Sequence, residues 1–181
     1  MRPASRTLPD LLDELAARQP DHELIVGGEE RLSYAETRER ARRLAKGLRR
    51  LGITAGDRVA LVMTNRPEWL LVDFAVMMLG ATLVPISTWS RPRELEYVLA
   101  HCGVTTLVTI PRLGAQRFLD AVGEMGGPGG ARLPDLRRVV VVAGGERPPG
   151  ASALAQTIQA ELGLSVHPRS VERALARKKK R

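Results

Sequence analysis

The sequence predicts an α/β protein built on an incomplete doubly wound, mostly parallel sheet, followed by a short helical basic tail. The main evidence lies in residues 56–110, where two apolar runs flank an almost entirely apolar helical segment. A third apolar run follows one more helix. Strands that alternate with helices in this way are typical of parallel sheets covered by helices. Aromatic residues make up only 3% of the chain, so the core must be built from aliphatic side chains.

The residues before this stretch predict a helix, a β-hairpin and a second helix. The glycine pair 27–28 lies between two short β-type runs and is a two-residue hairpin signal. Ser33 and Glu36 form a capping-box pattern at the start of the second helix. In order, the predicted elements are a helix from Thr7 to Pro20, strands at 23–26 and 31–34, and a helix from Ser33 to Leu51.

Residues 58–110 supply the strands of the predicted parallel sheet. Asn65 with Glu68 repeats the capping pattern, and Asp73 is the only charge between residues 69 and 79, which predicts a helix buried on most sides. The continuous apolar run at 82–86 predicts a strand covered on both faces. The predicted elements are strands at 58–63, 82–86 and 104–110, with helices opening at Asn65 and at 90–92.

A helix, a glycine-rich connector and a last strand complete the predicted fold. The glycine-rich segment 126–130 is not a phosphate-binding loop, because such a loop needs a lysine and a hydroxyl residue after its glycines, whereas Ala131 and Arg132 follow here. The predicted helix spans 113–125 with Leu113, Phe118, Leu119 and Val122 facing inward, and the strand spans 137–143.

The net charge of +8 is concentrated at the end of the chain. Residues 166–181 contain seven Lys or Arg residues and one Glu, so the high isoelectric point describes the tail more than the rest. Such a terminal basic cluster either contacts nucleic acid or another anionic surface, or is simply solvated. The basic residues of the 33–51 helix are interpreted as a solvated face.

The residue types that carry catalysis do not cluster in the sequence. Cys102 is the single cysteine and is predicted to be a small buried residue, which excludes an intramolecular disulfide. The three histidines, at positions 22, 101 and 167, lack the spacing of metal ligands. The paired carboxylates at 29–30 and at 94 and 96 lie in turn-like or surface-helix contexts. We therefore assign no catalytic, cofactor-binding or metal-binding residue.

No targeting or membrane signal is found in the sequence. The N-terminal residues carry charges throughout and lack the apolar core of a secretory signal. The longest uncharged run, 74–86, is too short for a membrane span. We therefore expect a cytoplasmic protein.

Several segments resemble the core motifs of the adenylate-forming superfamily, which includes acyl-CoA synthetases, luciferases and the adenylation domains of peptide synthetases. The resemblance covers about residues 7–143 and lies in the order and spacing of its motifs. These are LSYAE at 32–36, GDRVA at 56–60, NRPEW at 65–69 and MLGATLVPI at 78–86. The segment STWSRPREL at 87–95 is most similar to acyl-CoA synthetases.

The resemblance implies a ligase that converts a carboxylic acid and ATP to an acyl-adenylate and then to a CoA thioester, with Mg²⁺ as a cofactor. The matched motifs shape the first subdomain, whereas the family's phosphate loop, Mg²⁺-binding segment and C-terminal lysine are not found in these residues. The resemblance thus implies a truncated ligase that is inactive on its own. Loss of the covering subdomain predicts exposed apolar surface and self-association.

The chain is predicted to divide into a partial AMP-binding subdomain at 1–143, a linker at 144–150 and a basic tail at 151–181. Residues 163–175 weakly resemble a helix-turn-helix segment of transposase-type proteins. The change near Gly144 suggests a gene that is truncated, disrupted or fused at this point. The alternative function is that of a DNA-associated protein that acts through its basic helices.

Overall fold

The computed structural model describes residues 6–27, 30–142 and 165–166. The chain divides into two compact units, each of which is described by itself. The first, here called the helical unit, comprises residues up to Gly56 together with Thr64–Thr82. The second, the sheet unit, comprises Asp57–Met63 and the residues from Leu83 onward.

Within the residues that the structure describes, the helical unit contains three mutually packed helices and one antiparallel hairpin. Its core is aliphatic, with Leu12 and Leu32 at 2% and 1% exposure and Leu48 fully buried. This agrees with the shortage of aromatic residues. The elements are α1 (Leu8–Arg18), β1 (Glu23–Gly27), β2 (Glu30–Ser33), α2 (Tyr34–Arg50) and α3 (Pro67–Met78).

Side chains cap the first two helices as their sequences predict. The backbone N–H of Asp10 donates to Thr7 Oγ1 at 3.2 Å, which satisfies one free donor of α1. At α2, the Glu36 N–H donates to Ser33 Oγ at 3.2 Å, and the Ser33 N–H donates to the Glu36 carboxylate at 2.9 Å. The predicted capping box is therefore confirmed, and it fixes the point where the hairpin becomes a helix.

Two predicted details of the helical unit are wrong. Gly27 is the last residue of β1 and pairs with Glu30, so it belongs to the strand and not to the turn predicted at 27–28. The N-terminal cap of α3 is Arg66 rather than Asn65, without a side-chain cap hydrogen bond. The Glu68 carboxylate, which a capping box would use, instead pairs with the Arg66 guanidinium.

The sheet unit is built on a four-stranded parallel sheet, as predicted. The strand order is β4-β3-β5-β8-β9, and the short strand β9 lies antiparallel to β8. The strands are β3 (Arg58–Val62), β4 (Thr82–Pro85), β5 (Thr106–Thr109), β8 (Arg138–Val141) and β9 (Ser165–Val166). The remaining elements are α4 (Pro92–His101), β6 (Arg112–Leu113), β7 (Gln116–Arg117) and α5 (Phe118–Glu124).

Three predictions for the sheet unit are corrected. First, β4 lies at the edge of the sheet and is partly exposed rather than covered on both faces. Second, the predicted helix at 113–125 begins only at Phe118, because Gly114, with φ of +56°, turns the chain into the β6–β7 hairpin. Leu113 is accordingly 37% exposed. Third, Ser165–Val166 is a strand, although it lies in the segment 163–175 that was interpreted as part of a helix-turn-helix.

Among the described residues, no helix combines the length and the apolar character that a bilayer crossing requires.

Two glycines give opposite predictions for stability. A Cβ atom added at Gly27 would lie 2.9 Å from Cδ and Cγ of Pro67, which is held in the first turn of α3. Gly27→Ala should therefore lower the free energy of unfolding by about 1–3 kcal/mol.

Gly123, within α5, has nothing within 4 Å of an added Cβ atom. Gly123→Ala should raise the free energy of unfolding by up to about 1 kcal/mol, through helix propensity alone.

Urea unfolding of the full chain, followed by circular dichroism, measures both changes. A Gly27→Ala variant as stable as the parent protein would show that the hairpin does not pack against α3 as described.

Candidate functional site at the carboxyl edge of the sheet

Ligands of open α/β sheets bind in the crevice outside the carboxyl ends of the parallel strands. In the sheet unit this edge is formed by the residues that follow β3, β4 and β5. These are Met63, residues 86–89 and residues 110–113. Their side chains decide which chemistry this edge supports.

The segment after β4 presents an exposed tryptophan. The Ile86 N–H donates to the Leu61 carbonyl at 3.0 Å and extends the pairing with β3 by one residue. A turn follows, in which Ser87 Oγ accepts a hydrogen bond from the Trp89 backbone N–H at 3.2 Å. The Trp89 side chain is 86% exposed. An aromatic side chain so exposed at a strand end offers a contact surface for a ligand or for another part of a protein.

The segment after β5 is apolar and cationic. Thr109 is fully buried, and its hydroxyl donates to the Ile110 carbonyl at 3.1 Å. The β6–β7 hairpin then exposes Leu113 and Arg112, while Arg117 pairs with Asp120 at 3.3 Å. Residues 86–89 and 110–113, the two segments at this edge, contain neither a carboxylate nor a lysine.

The described residues do not fit a Mg²⁺–triphosphate complex. Mg²⁺ takes oxygen ligands, usually including a carboxylate, and the phosphates need a cradle of N–H donors with a cationic side chain. Among the described residues, no three or more His, Cys, Asp or Glu side chains form a group that could hold a metal ion. The apolar and hydroxyl groups of the carboxyl edge do not replace such a group. No step of nucleotide chemistry is therefore assigned to these residues.

The opposite, amino-terminal edge of the sheet carries a polar cluster around Asp57. The Thr105 hydroxyl donates to Asp57 Oδ1 at 3.2 Å, and the Arg137 guanidinium lies 3.9 Å from the same oxygen. Burial lowers the pKa of the Arg138 guanidinium, an effect that the charge of Asp57 opposes and that of Arg137 reinforces. Asp57 thus connects the starts of β3, β5 and β8, which is a structural role.

An ion pair in the helical unit is likewise structural. The Arg66 guanidinium donates twice to Glu68, with Nε–Oε2 at 2.8 Å and Nη2–Oε1 at 2.6 Å. Burial alone would raise the pKa of Glu68, but the hydrogen bond and charge of Arg66 outweigh it and the net pKa is lowered. Glu30 and Arg40 pair with each other at 2.5 Å. The charge of Glu30 helps to raise the pKa of Arg66, and the charge of Arg40 helps to lower the pKa of Glu68.

The carboxylates noted in the sequence lie on the surface, as interpreted. Glu94 accepts the Arg91 backbone N–H at 2.7 Å at the start of α4, and Glu96 pairs with Arg132 at 3.1 Å. Glu30 pairs with Arg40, and residue 29 lies outside the described residues. None of these contacts brings two carboxylates together for acid–base chemistry.

Other residues singled out in the sequence take structural positions or are not described. Cys102 is a free thiol at the end of α4 and is half-buried, so the prediction of a buried residue is wrong. The glycine-rich segment 126–130 is a turn region, with positive φ at Gly126, Gly127 and Gly129. His167 lies outside the described residues.

Sequence reasoning missed one surface, the exposed face of α4. Tyr97 and His101 are four residues apart, a spacing that places side chains on one helix face, and their rings are stacked. The spacing of Tyr97 and His101 could therefore have indicated this surface from the sequence. The sequence could not show that Arg132, which is distant along the chain, lies beside it.

The architecture is that of an adenylate-forming α/β protein. The structure of the anthranilate CoA ligase AuaEII in complex with anthranoyl-AMP superposes with a TM-score of 0.70, over 92% of this chain and 30% of that chain, at 23% identity. The N-terminal subdomain of Klebsiella oxytoca NpsA superposes with a TM-score of 0.55, over 56% of this chain and 26% of that chain, at 30% identity. The family described as AMP-binding enzyme matches residues 12–168, and the chain belongs to this family.

The relatives are acyl-CoA ligases by their names and are much longer than this chain. The mitochondrial medium-chain acyl-CoA ligase ACSF2 of Mus musculus is 33% identical over 147 residues, which cover 75% of this chain and 24% of the relative. The chain therefore spans about a quarter of that relative, in the part that resembles the N-terminal region of adenylate-forming enzymes.

The family match continues past Gly144, where the sequence suggested that the resemblance ends. Apart from Ser165–Val166, the predicted linker at 144–150 and the basic tail at 151–181 lie outside the described residues. The helix-turn-helix interpretation of the tail and its contact with DNA remain predictions without support from the structure or from the relatives.

Asp73 is the buried titratable group of the apolar helix α3. It is 8% exposed and, among the described residues, has no hydrogen-bond or ion-pair partner. Burial raises the pKa of its carboxyl group above the ordinary value. A carboxylate without a partner in such a place reduces stability whenever it is ionised.

Asp73→Asn should therefore stabilise the protein in a pH-dependent way. Because the pKa of Asp73 is raised in the folded state, its ionisation destabilises the fold above that pKa, and the penalty disappears below the unfolded value of about 3.9. The melting temperature of the variant should exceed that of the parent protein at pH 7. The difference should decrease toward zero as the pH falls to about 4.

Asp21→Asn is the matched control, because Asp21 is an exposed residue of the same unit. Thermal melts from pH 4 to pH 7 compare the three proteins. An Asp73→Asn variant with the same pH profile as Asp21→Asn would contradict the assignment.

Proposed function

We propose that this chain supplies the N-terminal, sheet-bearing part of an AMP-forming acid–thiol ligase of the acyl-CoA synthetase type. The observation that carries the proposal is the match of the AMP-binding enzyme family to residues 12–168, over a fold shared with a CoA ligase. The names of the curated relatives, which are acyl-CoA ligases, support the choice of a CoA thioester as the product.

The proposed reaction has two steps. A carboxylate attacks the α-phosphate of ATP, which forms an acyl-adenylate and releases pyrophosphate. The thiol of CoA then attacks the acyl carbon, which forms the thioester and releases AMP. The described residues contribute the parallel sheet and its carboxyl edge, whereas the groups that bind ATP and Mg²⁺ have to come from other parts of a complete ligase.

We further propose that the 181-residue polypeptide does not form an acyl-adenylate by itself. The carboxyl edge contains apolar, hydroxyl and arginine side chains but no group suited to Mg²⁺ among the described residues. Trp89 and Leu113, at 86% and 37% exposure, are suited to contact with a further part of a ligase or with a second copy of the chain. Self-association is therefore part of the proposal.

Carboxylate-dependent exchange between ATP and labelled pyrophosphate tests the proposed inactivity. The purified chain should show no exchange above background with medium-chain fatty acids or with benzoate, whereas an intact acyl-CoA ligase in the same assay shows it. Exchange that saturates with one of these acids and follows the chain through purification would overturn the proposal.

A second experiment tests whether the chain forms one part of a complete ligase. The remainder of a relative, produced separately, should co-purify with this chain if Trp89 and Leu113 contribute to a shared interface. Trp89→Ser should weaken that association, while Val26→Ser, at an exposed apolar position of the helical unit, serves as the control. No association, or an equal loss in both variants, would contradict the role of the carboxyl edge.

A further inference from the structure

The exposed face of α4 lines an open cavity of about 740 Å³ in the sheet unit. This volume lies within the range of small-molecule sites. The lining residues belong to α4 and to the loop after α5, and none of them belongs to the carboxyl-edge segments described above. They are Arg93, Glu96, Tyr97, Ala100, His101 and Arg132.

Two stacked aromatic rings are among the side chains that line this cavity. Tyr97 and His101 lie one helical turn apart, and their rings stack with centroids 5.1 Å apart and planes inclined by 9°. Tyr97 is nevertheless 64% exposed. Because each ring restrains the other, a planar ligand that stacks on them costs little further ordering of side chains.

Two guanidinium groups accompany these stacked rings. Arg132 donates to Glu96 Oε2 at 3.1 Å and also to the backbone carbonyl of Glu124, and these contacts hold it at the wall of the cavity. Its side chain is still 50% exposed. Arg93 lies one turn before Tyr97 and has no hydrogen-bond or ion-pair partner among the described residues. Since Glu96 offsets only one of the two arginines, the cavity has a net positive charge.

We propose that this cavity binds a planar aromatic anion of about the size of a nucleoside monophosphate. The aromatic ring stacks on the Tyr97–His101 pair, and the anionic group accepts hydrogen bonds from Arg93 and Arg132. Base–aromatic stacking and the planar fork of arginine donors suit these two parts of one ligand. The inference is independent of the proposed ligase role, because it uses no residue of the carboxyl edge.

Equilibrium binding of AMP to the full-length chain tests this proposal, with isothermal titration calorimetry and the ring NMR signals of His101 as readouts. AMP should bind saturably and shift those signals. Tyr97→Leu should weaken binding about tenfold through loss of stacking. Arg93→Gln should weaken it about fivefold, with a smaller dependence on salt than in the parent protein.

Arg117→Gln and Asp135→Asn are the matched controls, because both residues are exposed in the same unit and lie outside both the cavity and the carboxyl edge. They should leave AMP affinity unchanged. Circular dichroism and urea unfolding should show that all four variants keep the parent fold, because the substituted side chains are exposed.

Two further probes separate the parts of the proposed ligand. Inorganic phosphate should bind more weakly than AMP and without dependence on Tyr97, and benzoate should bind with dependence on both Tyr97 and Arg93. Phosphate binding as tight as that of AMP would overturn the aromatic part of the proposal. Absence of saturable AMP binding at millimolar concentration, or a loss confined to the Arg117 and Asp135 variants, would overturn the site.

Discussion

The parallel pairing of β5 with strands on both sides is the constraint on which the sheet unit depends. Val59 of β3 lies opposite Thr106, and Val140 of β8 lies opposite Val108. Every residue of β5 is buried, so its backbone groups must be satisfied by neighbouring strands rather than by water. This requirement fixes the register of β3 and β8. It thereby sets one edge of the sheet for the Asp57 cluster and the other for the segments that carry Trp89 and Leu113.

Much of this fold could be predicted from the sequence, because local patterns specify it. The apolar runs that become β3, β5 and β8 are recognisable by length and composition, and the caps at Thr7 and Ser33 use contacts within three residues. The errors occur where the place of a segment in the folded sheet unit, rather than its local sequence, determines its structure. An apolar run does not reveal that β4 is an edge strand, and one glycine, Gly114, replaces a predicted helical start by a hairpin.

The functional surfaces were predictable only in part. The family motifs specify the scaffold, and the scaffold places a carboxyl edge where ligands of such sheets bind. The contact between Arg132 and Glu96 joins residues 36 positions apart, and that between Thr105 and Asp57 joins residues 48 positions apart. Such contacts follow from tertiary packing, so the amino-edge cluster and the contribution of Arg132 to the α4 cavity could not be derived from spacing in the sequence.

The central claim is that these residues build the N-terminal part of an acyl-CoA ligase. The most direct measurement is the activity of a chimera in which residues 12–142 replace the matching segment of mouse ACSF2. The account predicts that the chimera forms acyl-CoA from a medium-chain acid, whereas the same ligase without that segment does not. A chimera that unfolds cooperatively, and is thus folded, but has no more activity than the deleted ligase would contradict the claim.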